Sequence, residues 1–167
     1  MLRWQIPMIK ECSEKSEIIF VLENLRKEDK EELIALYGNN WKIKTLDDLE
    51  NKKFLVLYGK DNYSNIVPIA IGGFYECFNG DKSIACAWLL SSSYIKINKS
   101  IFLKEFKNQL LFAEEKYEIM FNFIHRTNFN AKKWLAKFGF KFDNPKPKNI
   151  PVQDGFEFFY KVNKKGN

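Results

Sequence analysis

The chain has 167 residues, 46% of them hydrophobic and a formal net charge of +6, so it is long enough for one domain with a full core and too apolar to stay unfolded. No run approaches the ~20 apolar residues of a membrane-spanning helix, and residues 1–7 lack the long apolar core of a signal peptide. Cys12, Cys77 and Cys86 are odd in number and lack a Cys-x-x-Cys spacing, which argues against a disulfide framework or a zinc site and fits a reducing cytoplasm.

Residues 4–9 alternate loosely and read as a first strand. Ser13 or Ser16 can open a helix whose apolar side is Ile18, Ile19, Val21, Leu22 and Leu25. A second helix follows from Glu28, with Leu33, Ile34 and Leu36 expected inward and Tyr37-Gly38 closing it. Thr45 to Asp48 resembles a capping box and predicts a short helical turn through Glu50. Residues 53–58 read as a short apolar strand, and 59–65 as turn chemistry. A long strand covers 66–78, where Gly72 and Gly73 suggest a bulge or a bend. Asn79, Gly80 and Asp81 then turn the chain into a continuous apolar strand at 83–90, of the kind covered on both faces.

The longest helix runs from about Asn98 to Lys116, with Ile101, Phe102, Phe106, Leu110 and Ala113 at helical spacing. Residues 118–124 are an apolar run of strand length. Asn128 or Asn130 can cap the helix that follows, because a short polar side chain accepts from the orphan N–H groups of the first turn. Ala131, Trp134, Leu135 and Phe138 share one face of it. Gly139 takes the chain out of this helix through a left-handed conformation, and Phe140 starts the next strand. Pro145, Pro147 and Pro151 mark an irregular loop before a last strand, 155–162, dense in Phe and Tyr. No repeat or linker divides the chain, so residues 1–167 read as a single domain, with helices and strands mixed along it.

Asn128, Ala131, Trp134, Phe138, Gly139 and Phe140 fall in register with a known pattern, Asn-x-x-Ala-x-x-(apolar)-Tyr-x-x-(apolar)-Gly-Phe. In this the chain resembles the C-terminal half of the GCN5-related N-acetyltransferases (GNAT). Leu135 departs from the pattern, standing where many members carry a tyrosine that protonates the leaving thiolate. The order of strands and helices agrees with that family. The resemblance implies a mixed α/β (α+β) fold, with a central sheet of six to seven strands and about four helices. It also implies transfer of an acetyl group from acetyl-CoA to an amine, on a small molecule or a protein.

In that family the pyrophosphate of the cofactor lies on the N-terminus of the long central helix, where backbone N–H groups and the helix dipole meet the anion. The usual loop is Arg/Gln-x-x-Gly-x-Gly/Ala, since glycine lets the backbone come close. Residues 89–101 contain no glycine here. By the resemblance, acetyl-CoA would lie across Leu89, Leu90 and Ser91 and the helix start at Lys99, Ser100 and Ile101, with Lys96 or Lys99 near phosphate and Asn128 at the cleft end. A strand N–H near Leu90 would polarise the thioester carbonyl. The same stretch also reads as a plain strand-to-helix connection capped by Asn98 or Ser100.

His125 is the only histidine and stands at the carboxyl end of a strand, where such folds place ligands. It is a candidate general base near neutral pH, or a hydrogen-bonded structural residue. Glu76 ends the bent strand on which many GNAT enzymes carry a catalytic glutamate, and also reads as an ordinary charged strand end. The net charge of +6 is spread along the chain and suits an anionic cofactor; no specific nucleic-acid partner is expected.

A narrower resemblance covers most of the chain from Val21 to Lys161. The run from Val21 to Leu33 contains Asn-Leu-Arg-x-x-Asp-x-x-Glu and is followed by a helix ending in Gly38, as in short GNAT-like proteins of short-tailed phages. Ala87-Trp-Leu-Leu, the run from Ser100 to Lys104 and the closing aromatic strand continue the match. This implies internal virion or head-assembly proteins, or partners among phage and host proteins, in the host cytoplasm or the virion. It carries the alternative of a GNAT-like module that has lost its chemistry.

Overall fold

The structure, a computed structural model, describes residues 9–11, 14–50, 52–76, 83–142 and 152–163. The expected strand up to residue 8, the turn at 79–81 and the proline loop lie outside the described residues. Six strands lie side by side in chain order: β1 (Ile9–Glu11), β2 (Leu55–Lys60), β3 (Ile66–Glu76), β4 (Ile84–Ser91), β5 (Ile119–His125) and β6 (Phe156–Val162). Every neighbouring pair is antiparallel except β4 and β5, which run parallel. Parallel strands need a long crossover, and α4 (Lys99–Lys116) supplies it.

Side chains alternate across the sheet, so the two faces have separate cores. On one face Val56 and Ile71 pack under α1 (Lys15–Glu23), α2 (Lys27–Tyr37) and α3 (Trp41–Leu49), through Ile18, Val21, Leu33 and Leu49. On the other, α4 covers Leu57, Ile69 and Ala70 through Phe102. Beside it α5 (Phe129–Lys137) buries Ala131 and Leu135 against Met120, Ile124 and Phe159. Rings close the gap between the two helices: Trp134 stands edge-on to Phe106 at 4.7 Å and to Phe102 at 5.7 Å between centroids. This is the mixed α/β architecture expected.

Several local expectations meet the structure differently. Ile34 and Leu36 are each 40% exposed, because the inward face of α2 carries Asp29 and Leu33, with Tyr37 packed at its end. Thr45 does not start a helix; α3 begins at Trp41, and the Thr45 hydroxyl donates back to the Trp41 carbonyl within it. The irregularity of β3 lies at Ile69, skipped between the pairs Leu57–Ala70 and Tyr58–Pro68, where proline cannot donate to the ladder. Gly72 and Gly73 stay in regular register with β4. Gly139 does leave α5 with φ +86°, but Phe140 then enters the core and the chain makes only an isolated bridge, Lys141 to Tyr160.

Candidate functional site

The parallel pairing of β4 and β5 is short. It joins Ile84 to Ile119, Ala85 to Met120 and Cys86 to Phe121, and there it stops. Asn122 is the next residue on β5 and acts as a wedge. Its amide Nδ2 donates to the Ala87 carbonyl at 2.7 Å, while its Oδ1 accepts from the Phe123 N–H at 2.7 Å. The side chain thus takes the place of a backbone rung and lets the strands part. Beyond it β4 stays paired to β3, β5 stays paired to β6, and a cleft opens between them.

Register decides which backbone groups face that cleft. The Ser92 N–H donates to the Ile69 carbonyl, which makes Ile71–Leu90 and Gly73–Trp88 the hydrogen-bonded pairs of β3 and β4. The N–H of Leu90 is therefore spent on Ile71. Ala87, Leu89 and Ser91 turn their polar backbone groups to the other side. Ala87 is taken by Asn122 and Ser91 by Asp29, which leaves Leu89 offering N–H and C=O to the cleft. Trp88, in the same wall, has its indole Nε1 buried, with no hydrogen-bond partner among the described residues.

Helix α2 clasps both arms of the opening. Asp29 and Glu32 are three residues apart and so share one side of the helix. Asp29 is buried; its Oδ2 accepts from the Ser91 N–H and hydroxyl, each at 2.8 Å, and its carboxylate pairs with the Arg26 guanidinium. Burial opposes the charge on Arg26, but Asp29 outweighs it and holds the pKa above the ordinary value. The connector before α2 also adds to the end of β4: Arg26 N–H donates to the Ser91 carbonyl at 3.0 Å, and Ser93 N–H to the Asn24 carbonyl at 2.8 Å. Glu32 reaches the other arm. Its Oε1 accepts from the His125 backbone N–H at 2.5 Å and its Oε2 from Asn128 Nδ2 at 2.9 Å. Asn128 Oδ1 in turn caps α5 at the Ala131 N–H, as expected.

Glu32 lies in the wall of the cleft cavity with Arg26, Asp29, Asn122 and Asn128. Burial raises its pKa from 4.5 to about 7, with the Asp29 charge adding to the rise, against the two hydrogen bonds that favour the carboxylate. A carboxyl poised near neutrality, in one cavity with a backbone N–H that faces the cleft, can accept a proton from a nucleophile while the N–H meets a developing oxyanion. Arg26, Asp29 and Glu32 all sit in the Asn-Leu-Arg-x-x-Asp-x-x-Glu run, but nothing in their sequence neighbourhood gives them a role at the cleft. For Asn122 the one local signal is a lone asparagine in an apolar strand.

The residues singled out by sequence divide between the cleft and elsewhere. Leu89 and Asn128 line the cavity, Leu90 points to the α1 side of the sheet, and Ser91 is fully buried on Asp29. The His125 ring sits against Phe156 with Nδ1 on the Thr127 hydroxyl at 2.8 Å, so only its backbone N–H joins the Glu32 cluster. Glu76 pairs with Ala85 at the closed end of the β4–β5 junction and makes an ion pair with Lys116 at 3.3 Å. Leu135 is buried in the helix-face core at the cavity wall.

The connection from β4 to α4 folds into a 3₁₀ turn, Ser93–Lys96. Backbone N–H groups of Ser92, Ser93, Ile95, Ile97 and Asn98 all donate to carbonyls within the fold. Asn98 does not cap α4 with its side chain, which is clamped to the backbone N–H and C=O of Lys60 at 2.9 and 2.8 Å. Among the described residues the first turn of α4, at Lys99, Ser100 and Ile101, thus has no side-chain cap, with Lys96 and Lys99 exposed beside it. Among the described residues no helix is long and apolar enough to cross a membrane.

No protein-family model matches the chain, and no curated protein does. Solved structures do. An acetyltransferase from Streptococcus agalactiae superposes with a TM-score of 0.67 at 14% identity, over 92% of this chain and 96% of that one. A GNAT-family acetyltransferase from Staphylococcus aureus gives 0.64 at 15% identity, over 93% and 99%. A ribosomal-protein-alanine N-acetyltransferase from Brucella melitensis gives 0.56 at 14%, over 92% and 98%. At such identities the likeness establishes the fold, which is that of the GNAT acetyltransferases.

Proposed function

We propose that the chain transfers an acyl group from a coenzyme A thioester, acetyl-CoA in the simplest case, to an amine. The observation that carries this reading is Glu32, a cleft carboxyl with a pKa near 7 held by two donors. In this reading the cleft between β4 and β5 takes the thioester end. The Leu89 N–H, rather than that of Leu90, polarises the carbonyl. Glu32 accepts the proton that the amine loses as its nitrogen bonds to the carbonyl carbon and the carbon–sulfur bond breaks. The departing thiolate takes up a proton from protonated Glu32 or water, since Leu135 offers none. His125, through its backbone N–H, and Asn128 act as positioning residues for Glu32, and Glu76 stands outside this scheme. Phosphate would rest on the uncapped first turn of α4, with Lys96 and Lys99 as screened point charges.

A second reading is a GNAT-like binding or assembly protein of phage origin, without turnover, acting on phage or host proteins in the cytoplasm or virion. Two observations favour it: the β4–α4 connection spends its N–H groups internally, and a leucine fills the position of the thiolate's acid. Calorimetry with acetyl-CoA at low salt, followed by an amine panel, separates the two. The first reading expects binding that weakens with salt and slow transfer. No heat and no thermal shift at millimolar ligand would sink it, and binding without transfer to any amine would leave the second reading.

A further inference from the structure

The cleft cavity, of about 140 Å³, does not end where a two-carbon acyl group would. From Leu89 its walls continue across the α4 face of the sheet, past Ala70 and Gly72 on β3, to Leu55 and Leu57 on β2 and Ile9 on β1. From β4 to β1 is three strand spacings, about 14 Å. Two small residues make the trough. Ala70 and Gly72 are the β3 positions facing α4 there, and a Cβ on Gly72 would lie 2.6 Å from the Trp88 carbonyl oxygen and 2.9 Å from Leu89 Cδ1. Glycine at 72 lets Leu89 lie across β3 while the floor stays low. Phe102 and Phe106 of α4 form the apolar part of the roof, with Glu105 and Gln109 as its polar residues. The remaining polar groups, Arg26, Asp29, Glu32, Asn122 and Asn128, gather at the cleft end.

A cavity with a polar, catalytic end and an apolar arm suits a ligand of the same shape. We infer that the acyl group carried by the thioester is a chain of roughly four to eight carbons, lying from Leu89 over Gly72 and Ala70 toward Leu57. An engineered apolar cavity of similar volume takes up benzene, which has six carbons. The inference rests on the thioester reading above and narrows it: acetyl would fill only the cleft end.

The test is calorimetry of the unaltered protein with acetyl-, butanoyl-, hexanoyl- and octanoyl-CoA, with free hexanoate and free coenzyme A as separate arms. Each added methylene should tighten binding about fourfold until the arm is full. Leu55→Trp, at the half-buried far end of the trough, should bring the longer thioesters down to the level of the acetyl one. Binding of acetyl-CoA with flat or falling affinity along the series would overturn the inference and leave the thioester reading intact. Hexanoate binding as tightly as its thioester would also overturn it, since the site would then hold the chain without its carrier. If no thioester of any length binds, the thioester reading itself fails and this one falls with it.

Discussion

Glu32→Gln isolates the charge at the cleft while keeping the shape of the side chain. Below about pH 4.5 the carboxyl is protonated in the folded and unfolded chains alike and costs nothing. Above about pH 7 it is ionised in both, and the folded chain bears the cost of holding that charge away from water. The unfolded chain releases its proton first, so stability is lost as pH rises from 4.5 through 7. A rise from 4.5 to about 7 corresponds to about 3 kcal/mol at 1.36 kcal/mol per pH unit. The glutamine does not titrate, but its amide oxygen can satisfy only one of the donors, His125 N–H or Asn128 Nδ2, at a cost of about 1–3 kcal/mol. Urea unfolding between pH 4.5 and 8.5 should therefore find the variant less stable than the parent in acid, with the gap closing by about 3 kcal/mol toward pH 8.5. A gap that stays constant with pH would refute the raised pKa. In acyl transfer the same variant should lose about 10²–10⁴-fold in rate and lose the limb of the pH profile near 7.

Asn122→Leu removes the wedge between β4 and β5 and leaves the Ala87 carbonyl and the Phe123 N–H without it. Chemical denaturation should register a loss of about 1–3 kcal/mol, with faster amide exchange at Phe123; a variant as stable as the parent, with unchanged exchange, would discard the wedge. Asp29→Asn takes the charge from the buried partner of the largely buried Arg26 guanidinium and should cost about 3–5 kcal/mol. Ser91→Ala, which removes only a hydroxyl from the same carboxylate, should cost about 1 kcal/mol. Equal effects of the two would mean that the ion pair does not hold the end of β4.

Much of this chain is governed by chemistry that acts over a few residues. The apolar spacing of α4, the asparagine that caps α5 and the glycine that ends it are local demands, and they are readable in sequence because helix period, capping and positive φ involve near neighbours alone. The clasp on the cleft is different. Arg26, Asp29 and Glu32 stand out as a spaced pattern, but the partners that give them meaning are remote. Ser91 is 62 residues from Asp29, and His125 and Asn128 are 93 and 96 from Glu32. Whether a carboxylate on a helix faces water or the end of a strand depends on how the helix is docked, and so does its pKa, because burial is the largest cause of the shift. Ile34 and Leu36 make the same point in reverse: apolar side chains on α2 stay exposed because the docked face carries Leu33 and Asp29. The choice of Leu89 over Leu90 rests on parity. Adjacent residues of a strand send their N–H groups to opposite sides, and only the pairing of β4 with β3 determines which of the two remains for the cleft.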